Sequence, residues 1–82
     1  MEKRGNKMSY IATYYCAQRN MIVNSDYELD VDNSITNVNE YLSEIVRKVN
    51  DDKYKNIPYT IDYSDIYGNH YKCDFAGFSK LS

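Results

Sequence analysis

The chain has 82 residues, enough for a single domain with one core. Hydrophobic residues make up 43% of it and charged residues 27%, a balance typical of folded globular proteins rather than disordered ones. The net charge of −2 argues against a protein that binds by neutralising phosphates, because such domains are usually strongly basic. No apolar run approaches the roughly 18–20 residues that span a bilayer. We therefore expect no membrane contact and a cytoplasmic location.

Tyrosine dominates the aromatic residues: there are ten, with two phenylalanines and no tryptophan. Tyrosine is less suited than phenylalanine to filling a hydrophobic core, because each buried hydroxyl needs a hydrogen-bond partner. It is favoured where one side of the ring is packed and the other is wet, as on recognition surfaces. The excess therefore favours a binding protein.

Two strands are predicted in the first third of the chain. Residues 1–8 are expected to be a disordered lead-in, followed by one α+β domain over 9–82. Residues 9–17 are rich in aromatic and β-branched side chains, which favours a strand. Residues 21–31 alternate between apolar and polar, which indicates a half-buried strand. The residues expected to face the core in this second strand are Val23, Ser25, Tyr27, Leu29 and Val31.

A turn of three residues ending in Asn20 sets the expected register of this hairpin. It pairs Ala17 with Met21 and Tyr15 with Val23. A slip of one residue would turn a whole strand over, so the register decides which face is buried. In this register the outward side chains of the first strand are Tyr10, Ala12, Tyr14 and Cys16.

A helix is predicted over 35–50 because apolar residues recur at spacings of three and four. Asn33 or Ser34 is the expected cap. Leu42 and Ile45 are expected to be the most buried positions. The apolar stripe consists of Ile35, Val38, Leu42, Ile45, Val46 and Val49.

Two more strands are predicted, at 57–64 and 70–78, joined by a turn at 67–69. Pro58 is compatible only with the start or the edge of a sheet.

The second hairpin is expected to pair Tyr63 with Cys73 and Ile61 with Phe75. Gly77 marks a bulge, because the next residue departs from the alternation. The element order predicts an α+β fold: a two-layer ββαββ domain with a four-stranded antiparallel sheet and one helix on one face.

The outward face of the first hairpin is the predicted partner-binding surface, formed by Tyr10, Tyr14, Ile22, Asp26 and Glu28. Aromatic residues are enriched among interface hot spots, and such a patch is rarely left bare on a monomer. Stacking of nucleic-acid bases on the same face is disfavoured, because Asp26 and Glu28 would repel phosphate.

The sequence has no pattern of residues typical of a catalytic, metal or cofactor site, so no enzyme activity and no cofactor are expected. His70 has only Asp74 on its own strand face, and a metal site needs three or four ligands. Cys16 and Cys73 are expected on opposite sides of the sheet, too far apart for a disulfide, with Cys16 exposed and reactive.

The leading hypothesis is a small non-catalytic protein-binding module. One form of it is a phage- or mobile-element-encoded inhibitor of a bacterial enzyme or defence complex, since the Lys-, Asn- and Ile-rich usage is typical of A+T-rich genomes. The alternative is a nucleotide or nucleic-acid binder that uses the same tyrosine face. A homodimeric structural protein is the third hypothesis.

Overall fold

The computed structural model describes residues 7–81. The predicted ββαββ order and the α+β fold class are confirmed. The first strand begins two residues earlier than expected, and residues 1–6 of the expected lead-in lie outside the described residues. No helix among the described residues has the length and apolar character needed to cross a membrane. The elements are β1 (Lys7–Cys16), β2 (Met21–Asp32), α1 (Val38–Asn50), β3 (Thr60–Ser64) and β4 (His70–Lys80).

The four strands form one antiparallel sheet in the order β2-β1-β4-β3. The first and last strands are therefore the central pair, and each hairpin contributes one edge strand. The sheet is curled, so that β2 and β3 line a common cleft although they are at opposite edges. The single helix packs on the inner face of this curl.

The predicted register of the first hairpin is wrong by one residue. The structure pairs Cys16 with Met21 and Tyr14 with Val23, where Ala17–Met21 and Tyr15–Val23 were expected. The turn contains four residues, 17–20, instead of three, because the strand ends one residue earlier. The side chains of β1 are consequently turned over. Those that enter the core cluster or pack against it are Met8, Tyr10, Ala12, Tyr14 and Cys16.

A bulge in β2 keeps its apolar residues on the inner face. Ala12 lies opposite three residues, 25–27, between two regular stretches of pairing. The buried Ser25 hydroxyl donates to the Ala12 carbonyl at 2.8 Å and accepts from the Tyr27 N–H at 3.1 Å, so it satisfies backbone groups that the bulge removes from the ladder. Of the residues predicted to face the core, Tyr27 alone is exposed, at 39%.

The second hairpin is shifted by two residues from the prediction, because its loop covers 65–69. The observed pairs are Tyr63–Tyr71 and Ile61–Cys73. A shift of two preserves the faces, so these residues pack inward as expected. The predicted bulge at Gly77 is confirmed: the pairing with β1 shifts there, and its φ of 131° suits glycine.

The helix starts at Val38, three residues later than predicted. The side-chain oxygen of Asn37 accepts the N–H of Glu40 at 3.1 Å and caps it. The predicted caps, Asn33 and Ser34, are wrong, since they lie in the turn after β2.

The helix residues most deeply buried are Ile45, as predicted, and Val49. Leu42 is only partly buried, which corrects the prediction. It lies beside Val46 and Phe78 in a surface groove of about 620 Å³.

Tyr14 is the largest fully buried side chain. Its hydroxyl donates to the Pro58 carbonyl at 2.6 Å, and its ring meets Phe75 edge-on at 5.9 Å. Burial, together with the nearby Tyr27, raises the pKa of Tyr14 to about 12.

Both cysteines are free and fully buried. The expectation that they lie on opposite sides of the sheet, with Cys16 exposed, is wrong, because β1 is turned over. The β1–β4 pairing runs through Tyr14–Phe75 and Tyr15–Asp74, so Cys16 and Cys73 come next to each other. Burial and the Cys16 thiol raise the pKa of Cys73 to about 11.

The two raised pKa values predict a loss of stability in alkali. The unfolded chain deprotonates Cys73 near its ordinary pKa of 9.0 and Tyr14 near 10.0, whereas the folded chain holds both protons to about 11 and about 12. The stabilisation is therefore complete below pH 9.0 and is lost as the pH rises through these values. The urea midpoint of unfolding should therefore fall as the pH is raised from about 8, which is below the ordinary thiol pKa.

Two variants separate the contributions. Cys73→Ala should reduce the fall of the urea midpoint in the lower part of this pH range. Tyr14→Phe should reduce the fall above pH 10.0. A midpoint that stays constant across this range in the wild-type chain would contradict the burial of both groups.

Candidate functional site: the hairpin end

The five residues predicted to bind a partner do not form one surface. Tyr14 is fully buried, and Tyr10 is half-buried against the core, so the expected outward orientation of both is wrong. Ile22, Asp26 and Glu28 are exposed on β2, although Asp26 lies within the bulge. The turned-over first strand is the cause. A patch centred on Tyr14 therefore does not exist.

The outer face of the sheet instead presents Tyr15, which is opposite Ile22 in the register. These side chains are 41% and 57% exposed. The Tyr15 hydroxyl donates to the side-chain oxygen of Asn20 at 2.6 Å, which ties the ring to the first turn. One aromatic and one aliphatic side chain thus lie exposed together beside that turn.

The loop between β3 and β4 presents two still more exposed apolar side chains. Ile66 is 90% exposed and Tyr67 is 82% exposed. Neither contributes to the hydrophobic core cluster. Two adjacent large apolar residues in open solvent are unfavourable for an isolated molecule and are typical of interaction sites.

Asp65 holds this loop in shape. One of its carboxylate oxygens accepts the N–H groups of Tyr67 and Asn69, each at 2.9 Å. The other accepts the Asn69 side-chain amide at 3.3 Å and the Tyr71 hydroxyl at 3.2 Å. Gly68, with a φ of 85°, makes the tight turn possible. The loop that carries Ile66 is therefore ordered before any partner binds.

The charge of Asp65 is stabilised by the same contacts. Partial desolvation acts in the opposite direction, but hydrogen bonds from Asn69, Tyr67 and Tyr71 lower the pKa of Asp65 from its ordinary value.

Arg19 joins the two turns. Its guanidinium nitrogen is 3.3 Å from the Asp65 carboxylate, and its guanidinium carbon is 5.4 Å from the centre of the Tyr71 ring. Both turns consequently lie at one end of the sheet. We call this surface the hairpin end, defined as residues 17–20 and 65–69 with Tyr15 and Ile22.

A serine, a histidine and an aspartate also meet on β3 and β4, but not in the geometry of a catalytic triad. His70 Nδ1 lies 3.0 Å from the Ser64 hydroxyl and 3.5 Å from the Asp62 carboxylate. In a triad the serine and the carboxylate contact different ring nitrogens: one nitrogen takes the serine proton, while the carboxylate accepts the N–H of the other and orients the ring. Here both approach the same nitrogen, and the side chains of His70 and Asp62 are 66% and 72% exposed.

Metal chemistry finds no better support in the described part of the chain. Across residues 7–81, no group of three or more His, Cys, Asp or Glu side chains converges in a way that could hold a metal ion.

No protein-family model, curated protein or solved structure matches this chain.

The sequence-based prediction places Tyr67 only in the turn at 67–69 and gives Ile66 no role, so it misses this exposed pair. A signal was present: Asp65 precedes a Gly-Asn pair, and aspartate side chains commonly organise turns through backbone N–H groups. Large apolar residues within such a polar turn need an explanation other than turn formation.

Replacing Asp65 by alanine should loosen the loop without unfolding the sheet. The N–H groups of Tyr67 and Asn69 lose their acceptor, so their hydrogen exchange should accelerate about tenfold or more. NMR-detected exchange measures this directly. Asp62→Ala is the matched control, since Asp62 is an exposed aspartate of the same hairpin that does not hold the loop. Equal exchange rates in the two variants would show that Asp65 does not order the loop.

Proposed function

We propose that this chain is a small non-catalytic protein-binding module that docks onto another protein through the hairpin end. The observation that carries the proposal is the display of Ile66 and Tyr67, almost fully exposed, on a loop held by the Asp65 carboxylate. A preordered loop loses little conformational entropy on binding, and large apolar side chains at its tip supply the anchors.

A protein partner suits this surface better than a nucleic acid. The net charge of the chain is −2, and the charge of Arg19, the one basic residue of the hairpin end, is offset by Asp65. Binding to a polyanion depends on several cations that neutralise phosphates. Ile66, Tyr67 and Ile22 instead favour an apolar pocket or groove on the partner.

The specific form that we propose is a cytoplasmic inhibitor, encoded by a phage or mobile element, that covers a surface of a bacterial enzyme or defence complex. A domain of this size with two free, buried cysteines suits a reducing compartment. The Lys-, Asn- and Ile-rich composition is typical of A+T-rich genomes and supports a low-G+C bacterial host.

The test compares aspartate substitutions at the hairpin end with an aspartate substitution at an exposed apolar residue elsewhere. The chain carrying both Ile66→Asp and Tyr67→Asp should fail to retain the partner that the wild-type chain retains from a bacterial lysate. The loss of a hot-spot side chain commonly costs about 2 kcal/mol, so the measured affinity should fall at least about thirtyfold.

Leu81→Asp is the control, because Leu81 is 49% exposed and follows the far end of β4. It should bind as the wild type does, and thermal melts should show all variants folded. Retention of the partner by the Ile66 and Tyr67 double variant, or its loss from the Leu81 variant alone, would refute the hairpin end as the docking surface.

A further inference from the structure

A recessed surface lies between the two edge strands, separate from the hairpin end. It is a cleft of about 650 Å³ lined by residues 23–27 of β2 and by Pro58 and residues 60–64 of the β3 segment. Its volume falls in the range of ligand-binding clefts. The curl of the sheet forms it, since β2 and β3 are the outermost strands.

The two walls of this cleft differ in their capacity to bind another strand. On the β2 side the backbone is bulged at 25–27, and the Ser25 hydroxyl already accepts the Tyr27 N–H there. Bulges interrupt regular pairing and protect an edge. On the other side, Thr60–Ser64 is regular, and among the described strands it pairs only with β4. The β3 edge therefore offers unpaired backbone groups to an extended peptide.

The acidic residues that line the cleft favour a peptide with basic side chains. Asp26 on one wall and Asp62 on the other are both exposed, and of the described residues that line the cleft none is basic. Tyr27 and Tyr63 also line it. Carboxylates with aromatic rings favour arginine and lysine side chains through charge-assisted hydrogen bonds and cation–π contacts.

Two basic groups lie near Asp62 but outside the cleft. Lys72 is opposite Asp62 in the register, and His70 Nδ1 is 3.5 Å from its carboxylate. Neither side chain lines the cleft, so the wall that faces a ligand remains acidic.

We propose that the cleft binds an extended basic segment of another polypeptide, which adds as a strand to β3 and places an arginine or lysine side chain between Asp26 and Asp62. Backbone pairing supplies the affinity and the acidic pair supplies the selectivity, the general mode of peptide recognition by strand addition. A second copy of this chain fits less well. An antiparallel pair of β3 strands centred on residue 62 would set Asp62 against Asp62, and like charges directly opposite are destabilising.

The probe is a fluorescein-labelled peptide of alternating arginine and valine, titrated at low ionic strength and followed by fluorescence anisotropy. Two comparison peptides isolate the two contributions. One replaces every arginine by glutamate, and the other carries a methyl group on every peptide nitrogen, which keeps the charge but removes the backbone N–H groups that pair with a strand. The arginine–valine peptide should bind, and both comparison peptides should fail to bind at the same concentrations.

The variant Asp26→Asn with Asp62→Asn should weaken binding of the arginine–valine peptide about tenfold. Its control, Glu28→Gln with Asp30→Asn, removes the same charge from β2 outside the cleft and should change the affinity little. In the wild-type complex, hydrogen-exchange protection should rise in residues 60–64 and not in 25–27.

Three results would overturn the proposal. One is equal weakening by both double variants, which indicates general attraction between opposite charges. Another is equal binding of the N-methylated peptide, which excludes strand addition. The last is a concentration-dependent dimer of the chain that protects residues 60–64, which would make a second copy the occupant. Binding at the hairpin end is measured with Ile66 and Tyr67 variants, so the two proposals fail independently.

Discussion

The Tyr14 side chain lies on the inner face of the sheet, and this position determines which residues of β1 form the core and which are exposed. From a central strand its hydroxyl reaches the Pro58 carbonyl, just before β3, and its ring packs edge-on against Phe75 of the neighbouring central strand. One residue thus joins β1, β4 and the segment that leads into the far edge strand. Since alternate residues of a strand face opposite sides, the burial of Tyr14 also determines that Tyr15 is outside.

The surfaces available for binding follow from this constraint. Because Tyr14 is buried, the tyrosine face expected from composition consists only of Tyr15 beside Ile22. The most exposed large apolar side chains are instead Ile66 and Tyr67. The Asp65–Arg19 contact then connects that loop to the first turn. The curl of the sheet brings its two edges to one cleft. The proposed binding surfaces therefore lie on turns and strand edges rather than on a flat sheet face.

Much of the fold could be predicted from local pattern. Clear alternation identified β2, spacings of three and four identified the helix, and Gly77 marked the bulge in β4. The face of β1 could not be predicted in this way, because its apolar residues occur at both parities, with Ile11 and Tyr15 competing against Tyr10 and Tyr14. Its orientation then depended on turn length, and one residue was enough to reverse it. The two-residue error in the second hairpin was harmless, because an even shift preserves the faces. The Arg19–Asp65 contact that joins the two turns could not be predicted, because it links residues far apart in the sequence, for which no local pattern exists.

The most direct test of this account is a measurement of short interproton distances across the first hairpin by NMR. In the fold described, backbone protons of Tyr14 contact those of Val23, and backbone protons of Cys16 contact those of Met21. Contacts between Tyr15 and Val23 and between Ala17 and Met21 would contradict it, because they would return Tyr14 to the surface and leave the hairpin end without its structural basis.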